Sequence, residues 1–377
     1  MKIVIAPDSF KESLTAMEVA ESIENGFKEV FPEAEYVKVP MADGGEGTVQ
    51  SIIDATGGSL ESVTVTDPLG RLVESFWGLS GNGKTAVIEM AAASGIHLVQ
   101  PSERNPLITS TYGTGELILA ALDRGVDKII LGIGGSATND AGCGMLQALG
   151  AKLLNQRGES IGPGGGAIDE LADIDLKGLD PRLAKVTFEV ACDVDNPLCG
   201  PKGASAVFGP QKGATDDMIT QLDANLLHFG QKVKETTNED IIHLAGAGAA
   251  GGLGGCLAGL CGAVLKPGVD IVIEAVALAQ AMHDTDLVIT GEGRIDSQTI
   301  YGKTPIGVAK VAKQFDIPVI GIAGALTYDC GVVHEHGIDS VFSVVPRAVE
   351  LDMALKEADK NIYLCAKNIA ALLKISL

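Results

Sequence analysis

The sequence is short of aromatic residues, short of positive charge, and without any cysteine pattern that points to a bridge or a metal. Aromatics are only 4% of 377 residues while hydrophobic residues reach 46% and glycine numbers 48, so the interior must be packed by Ala, Val, Ile and Leu between many tight turns. That profile favours an α/β chain over an all-β sandwich. Lys and Arg total 28 against 49 Asp and Glu, a formal charge of −21. A surface so acidic repels nucleic acid and anionic lipid headgroups, so neither is an expected partner. Seven cysteines, an odd number with no C-x-x-C pair, fit neither a disulfide framework nor a zinc site. They read as small buried hydrophobes in a reducing compartment. The start, Met1-Lys2-Ile3-Val4-Ile5-Ala6-Pro7-Asp8, lacks the apolar core of a signal peptide, and the expected location is the cytoplasm. The stretch 244–265 carries no charge over a length that could cross a bilayer. It is dominated by Gly and Ala rather than Leu, Ile and Phe, and reads as a tight loop leading into a buried helix.

At this length two domains are expected. Six β-branched runs end in a loop holding an acid or glycines: Lys2–Ala6, Tyr36–Val39, Lys128–Ile133, Thr187–Ala191, Leu287–Ile289 and Val319–Ile322. Such endings mark parallel strands whose carboxyl ends carry a site. Helical spacing of apolar residues follows most of them, as in Met17–Phe31, Thr48–Ala55, Gly115–Asp123, Met145–Leu149, Met218–Val233 and Ile271–Met282. A last helix is expected from Asp352 to about Leu373. Residues 62–99 break the rhythm with strand-like runs and turns at Asp67-Pro68-Leu69-Gly70 and Ser80-Gly81-Asn82-Gly83, an antiparallel meander. The expected fold is α/β. A Rossmann-like parallel-sheet domain is built from both chain ends, residues 1–62 and 285–377. A second α/β domain with antiparallel elements, residues 63–284, is inserted into it.

Four sets of residues could carry chemistry. Gly78-Leu79-Ser80-Gly81-Asn82-Gly83-Lys84-Thr85 satisfies the Walker A pattern, but Thr85–Met90 reads as a returning strand, whereas a P-loop must open a helix. The stretch reads as a hairpin turn. Gly132–Asp140 follows a strand and leads into a small-residue helix expected at Ala141–Leu149, so Gly134, Gly135, Ser136, Thr138 and Asn139 could cradle phosphate. This segment and Gly246–Gly255 also resemble dinucleotide fingerprints, although the acid expected after the first falls near Asn155. Acids at strand ends form the third set: Asp8, Asp43 with Glu46, Asp193 with Asp195, and Glu292 with Asp296. They suit Mg²⁺ and the orientation of a hydroxyl. Loop cations form the fourth: Lys11, Arg71, Lys202, Lys212, Arg294 and Lys303, with Arg suited to a carboxylate and Lys to phosphate. Lys202 reads as a solvated surface charge.

Several segments together resemble the bacterial type-1 glycerate kinase family: Ala6–Leu14, Ala42–Thr48, Ile133–Asp140, Cys192–Leu198, Phe208–Gly213 and Gly291–Asp296. The resemblance runs from the first strand past Lys303. It implies ATP, Mg²⁺ and D-glycerate, two unlike α/β domains with the site in a cleft, and 2-phosphoglycerate as product. On that basis Asp193 orients or deprotonates the attacking hydroxyl, helped by Asp8, and Lys11 is a further catalytic candidate that neutralises phosphate charge. Ser9, Arg71 and Arg294 are candidates for holding the substrate, Asp43 and Asp195 for Mg²⁺, and Lys212 and Lys303 for phosphate beside the Gly134–Asn139 loop. Direct transfer then rests on positioning and charge neutralisation. The competing readings are an NAD-dependent oxidoreductase of a small hydroxy acid and a two-lobed binding protein for small acids. D-glycerate and 2-phosphoglycerate are the expected acceptor and product, while a preference for tartronate or hydroxypyruvate, 3-phosphorylation, and the choice between monomer and homodimer are left open by the sequence.

Overall fold

The computed structural model describes residues 1–376 and divides the chain into two compact units. One joins Met1–Gly57 to everything from Pro267 onward; the other is the uninterrupted run Gly58–Lys266. Strands β1 (Lys2–Pro7) and β2 (Glu35–Lys38) precede the run. Within it lie β3 (Ser59–Thr66), β4 (Leu72–Leu79), β5 (Thr85–Glu89), β6 (Lys128–Gly132), β7 (Lys152–Leu154), β8 (Asp173–Asp175), β9 (Thr187–Ala191) and β10 (Val264–Lys266). After it come β11 (Leu287–Ile295), β12 (Val319–Leu326) and β13 (Ser340–Ser343).

The unit boundaries differ from the expected residues 62 and 285, for two reasons. Ser59, Leu60 and Glu61 already pair with Leu79, Gly78 and Trp77 in the antiparallel β3–β4 ladder, so the outward crossing falls at 57–58. On the return, helix Gly268–Ala275 packs on helix Thr304–Lys313, with Gly307 leaving room for Val269, so the crossing falls at 266–267. The helix expected over Ile271–Met282 is interrupted, because Ala277 adopts a left-handed φ of 52° between two shorter helices.

In the discontinuous unit five strands pair in the order β13-β12-β11-β1-β2, all parallel. β1 is an interior strand, flanked by β11 and β2, and is buried along nearly its whole length, which explains why Ile3–Pro7 reads as an unbroken apolar run rather than an alternation. The chain leaves β1 toward β2 on one side and leaves β11 toward β12 on the other. The carboxyl ends of β1 and β11 therefore form a topological switch point, where doubly wound sheets place ligands. Helix Ala16–Lys28 starts on a capping box, with Thr15 Oγ1 accepting from the Glu18 N–H and Glu18 Oε2 accepting from the Thr15 N–H at 2.8 Å. The helix packs on Ala358–Ser376, and a Cβ at Gly26 would lie 2.5 Å from the Tyr363 carbonyl oxygen. Ile3, Ile5, Val19, Phe27, Ile289 and Ile369 form the adjoining core.

The inserted unit carries a six-stranded sheet ordered β10-β9-β6-β5-β4-β3. It is parallel from β10 to β5 and antiparallel from β5 to β3. The separate β7–β8 pair is antiparallel. The Walker-like stretch is the β4–β5 hairpin. Asn82 Oδ1 accepts from the Lys84 and Thr85 N–H groups at 2.8 and 3.2 Å, donors that a P-loop would offer to phosphate. Stretch 244–265 is a buried glycine turn followed by helix Leu253–Cys261, and no helix among the described residues is long and apolar enough to cross a membrane.

The loop after β6 departs from the expected cradle. Its helix begins only at Cys143, after left-handed turns at Ala141 and Gly142, because the fully buried Asp140 carboxylate takes the Gly142 and Gly144 N–H groups at 3.1 and 3.2 Å. The helix start is thus capped internally rather than presented to a ligand. Ser136, Thr138 and Asn139 are buried, and only Gly134 and Gly135 are exposed. Gly251, left-handed at φ 69°, lies where a Cβ would come within 2.2 Å of the Thr138 carbonyl oxygen, so the second glycine stretch serves close packing against this loop.

Lys212, expected to reach phosphate, is instead 2% exposed and ties the loop down, donating to Ser136 Oγ at 2.8 Å and to the Thr138 carbonyl at 2.6 Å. Burial lowers its amine from the usual 10.5 to about 7, although Asp140 opposes the shift. Above the folded value and below the unfolded one, the unfolded chain holds a proton that the folded chain has released, so stability rises with pH across that window. Urea melts of the parent and of Lys212→Met should therefore diverge in the parent's favour between pH 7 and 9.5. A difference that stays constant over this range would exclude a depressed lysine. The hairpin makes a separate prediction: Lys84→Ala should leave any affinity for a nucleoside triphosphate, read by titration, within about two-fold of the parent, whereas loss of a true P-loop lysine would cost orders of magnitude.

Candidate functional site

Asp8 follows β1 directly, its own N–H extending the ladder to the Gly291 carbonyl at 2.8 Å, so the β1–β11 pairing sets Asp8 beside Glu292. The two carboxylates line a cavity of about 600 Å³ at the switch point, within the discontinuous unit. Ser9 and Lys11 come from the turn after β1, Asp43 from the loop after β2, and Arg294 and Lys303 from β11 and the segment beyond it. The lining also includes the apolar Val344, Val345, Leu351 and Leu355, so a few charged groups share the cavity with apolar side chains, as in sites for small ligands.

The acids at this site are held under electrostatic tension. Burial pushes Asp8 up from 3.8 to about 6. Asp43 and Glu292 raise it further by like-charge repulsion, while hydrogen bonds from Thr304 and from the Ser9 N–H act against them. Thr304 Oγ1 donates to Asp8 Oδ2 at 2.6 Å and the Ser9 N–H donates to Asp8 Oδ1 at 2.6 Å. Glu292 is also raised by burial, opposed by Thr299 Oγ1 on Oε1 at 2.8 Å and Lys303 Nζ on Oε2 at 3.2 Å. Asp43 Oδ1 accepts from the Gly45 N–H at 3.1 Å. Arg294 is 64% exposed, with its guanidinium 2.8 Å from Asp296 Oδ2, and Lys11 is exposed at the rim. A group poised near 6 between a cationic rim and neighbouring carboxylates can change protonation at physiological pH, as acid–base groups must.

The structure gathers Asp8, Ser9, Lys11, Asp43, Arg294 and Lys303 around one cavity. The remaining expected residues belong to the inserted unit. Asp193 and Asp195 follow β9 and are exposed. Arg71 is engaged within its own unit: its Nε lies 2.7 Å from Asp67 Oδ2 and its Nη1 3.3 Å from Glu103 Oε1. Two carboxylates already balance its charge, which weakens it as a holder of substrate carboxylate beside Arg294. Sequence reading passed over Thr299 and Thr304. The only local signal was Thr304 standing before Pro305, a residue suited to a helix's first turn. Among the described residues no group of three or more His, Cys, Asp or Glu is assembled to hold a metal.

The model of the family described as the glycerate kinase family matches residues 3–374. The chain is 61% identical over 376 residues to a glycerate kinase of Bacillus subtilis (strain 168), covering 100% of this chain and 98% of that protein. It is 59% identical over 377 residues to the glycerate 2-kinase of Escherichia coli (strain K12), covering 100% and 99%. A crystal structure assigned to glycerate kinase 2 of Salmonella typhimurium LT2 superposes with a TM-score of 0.93 at 55% identity, covering 100% of this chain and 99% of that one. These likenesses run the whole length of the fold and give no support to an oxidoreductase or a binding-protein reading. With the switch-point cavity and its carboxylates already in place, they establish that the chain belongs to the glycerate kinase family.

Proposed function

We propose that this enzyme transfers the γ-phosphoryl group of ATP to D-glycerate, at the 2-hydroxyl, to give 2-phosphoglycerate. The observation that carries the proposal is the cavity in which Asp8, poised near 6, faces Asp43 and Glu292 under the cations Lys11, Arg294 and Lys303. The position of transfer is supported by the 59% identity to a protein named glycerate 2-kinase. The acidic chain, with a formal charge of −21, supports a small-molecule reaction without nucleic acid; a cytoplasmic monomer or homodimer completes the reading.

In this reading Arg294 binds the glycerate carboxylate, because a planar guanidinium matches it in two hydrogen bonds, and Ser9 orients the same substrate. Asp193 orients or deprotonates the attacking hydroxyl, assisted by Asp8. Lys11 and Lys303 offset phosphate charge, and the exposed backbone of Gly134 and Gly135 is the part of its loop open to phosphate. Mg²⁺, when bound with ATP, neutralises phosphate charge. The carboxylates of Asp43 and Asp195 are hard oxygen donors of the kind it takes, one or two from protein with the rest from phosphate and water.

ADP release on addition of D-glycerate, followed by enolase alone, tests the reaction and its position together. Immediate phosphoenolpyruvate formation is expected; formation only after a mutase is added would mean the 3-phosphate, and no ADP release would end the proposal. Asp193→Asn and Asp8→Asn should each lower turnover by at least a hundred-fold with an unchanged circular dichroism spectrum. Near-parent rates would remove the residue from the mechanism. Because Asp8 must be ionised to accept a hydrogen bond or a proton, kcat/KM should rise with pH through about 6 and level off above it. A profile flat from pH 5 to 8 would contradict that role.

A further inference from the structure

Thr304 touches the reacting cavity only through another residue. It is fully buried and opens helix Thr304–Lys313, so its backbone sits in the first turn of a ten-residue helix. Its hydroxyl holds Asp8 Oδ2 at 2.6 Å while the Ser9 N–H holds Oδ1 at 2.6 Å. The carboxylate is held at both oxygens, one by the residue next to it and the other by a residue 296 positions along the chain, which restricts its orientation. The segment before the helix treats the neighbouring acid in the same way. Thr299 Oγ1 donates to Glu292 Oε1 at 2.8 Å and accepts from the Asp296 N–H at 3.1 Å, and Lys303 closes on Oε2 at 3.2 Å. One short stretch, residues 296–304, thereby anchors both carboxylates that β1 and β11 deliver.

We propose that Thr304 is a positioning residue for phosphoryl transfer, its hydroxyl fixing the Asp8 carboxylate toward the cavity. The inference rests on the reading that Asp8 takes part in catalysis. Threonine allows a clean separation of roles, since valine keeps its shape without the hydroxyl and serine keeps the hydroxyl without the methyl. Thr304→Val should lower kcat by roughly ten- to a hundred-fold, the worth of a hydrogen bond to a charged group. The KM values for D-glycerate and ATP should stay within about two-fold. Thr304→Ser should recover most of the parent kcat. A packing role predicts the reverse, valine active and serine impaired, and that pattern would overturn the proposal. If Thr304→Val does not fold, Thr304→Ala set against Thr304→Ser gives the same decision, because only the serine variant keeps the donor. Added to Asp8→Asn, the valine change should cost nothing further. Asp8→Asn with near-parent turnover means that the catalytic reading of Asp8 has failed. An inactive Asp8→Asn beside a fully active Thr304→Val means that the Thr304 inference alone has failed.

Discussion

The parallel pairing of β1 with β11 is the constraint on which the candidate site depends. Ile3 to Pro7 align with Leu287 to Gly291, and the ladder continues one bond further through the Asp8 N–H. Two acids far apart in the chain are thereby forced side by side at the mouth of the sheet. Bringing Asp8 and Glu292 out of water and close together is opposed by desolvation and by charge repulsion. The cost is met by donors brought from a single following segment, a hydroxyl for Asp8 and a hydroxyl with an ammonium for Glu292. The sheet supplies the crowding and residues 296–304 supply the restraint.

The inserted unit solves a different problem. Its glycine loop is an interior structure, pinned by a buried lysine, capped by a buried aspartate and closed over by Gly251. These interactions leave Gly134 and Gly135 as the only exposed residues of the Gly134–Asp140 turn. A loop whose side chains are all committed inward has a fixed backbone, and a fixed backbone can present amide groups without first paying the entropy of ordering them.

Much of this was legible in the sequence. Buried parallel strands show as unbroken β-branched runs, and the hairpin nature of Gly78–Thr85 followed from the strand-like residues after it, against an apparently perfect nucleotide motif. Asp8 and Asp43 were visible because an acid at a strand end is a local pattern. The misreadings share a cause, which is that the deciding partner lies elsewhere in the chain. Lys212 looks like a loop cation until its acceptors, more than seventy residues away, are known. Thr304 looks like an ordinary first helical residue until β1 arrives beside it. Arg71 is the exception, since Asp67 four residues earlier is a local partner that the sequence offered. The boundaries slipped for a similar reason: Ser59–Glu61 are polar enough to pass for a linker and become strand only through pairing with β4.

The discontinuity of the first unit bears on the order in which the protein can assemble. Residues 58–266 form a continuous folding unit whose contacts are complete once its own last strand has been synthesised. β1 emerges earliest yet cannot enter its sheet between two neighbours until β11 exists, about 280 residues later. Through that interval its Ile3 and Ile5 faces remain uncovered on one side. Closing so long a loop would be slow in an unstructured chain. Once residues 58–266 are folded, the two ends of the insert are held at a fixed separation, so the loop that this late pairing must close is shorter than the intervening chain length suggests.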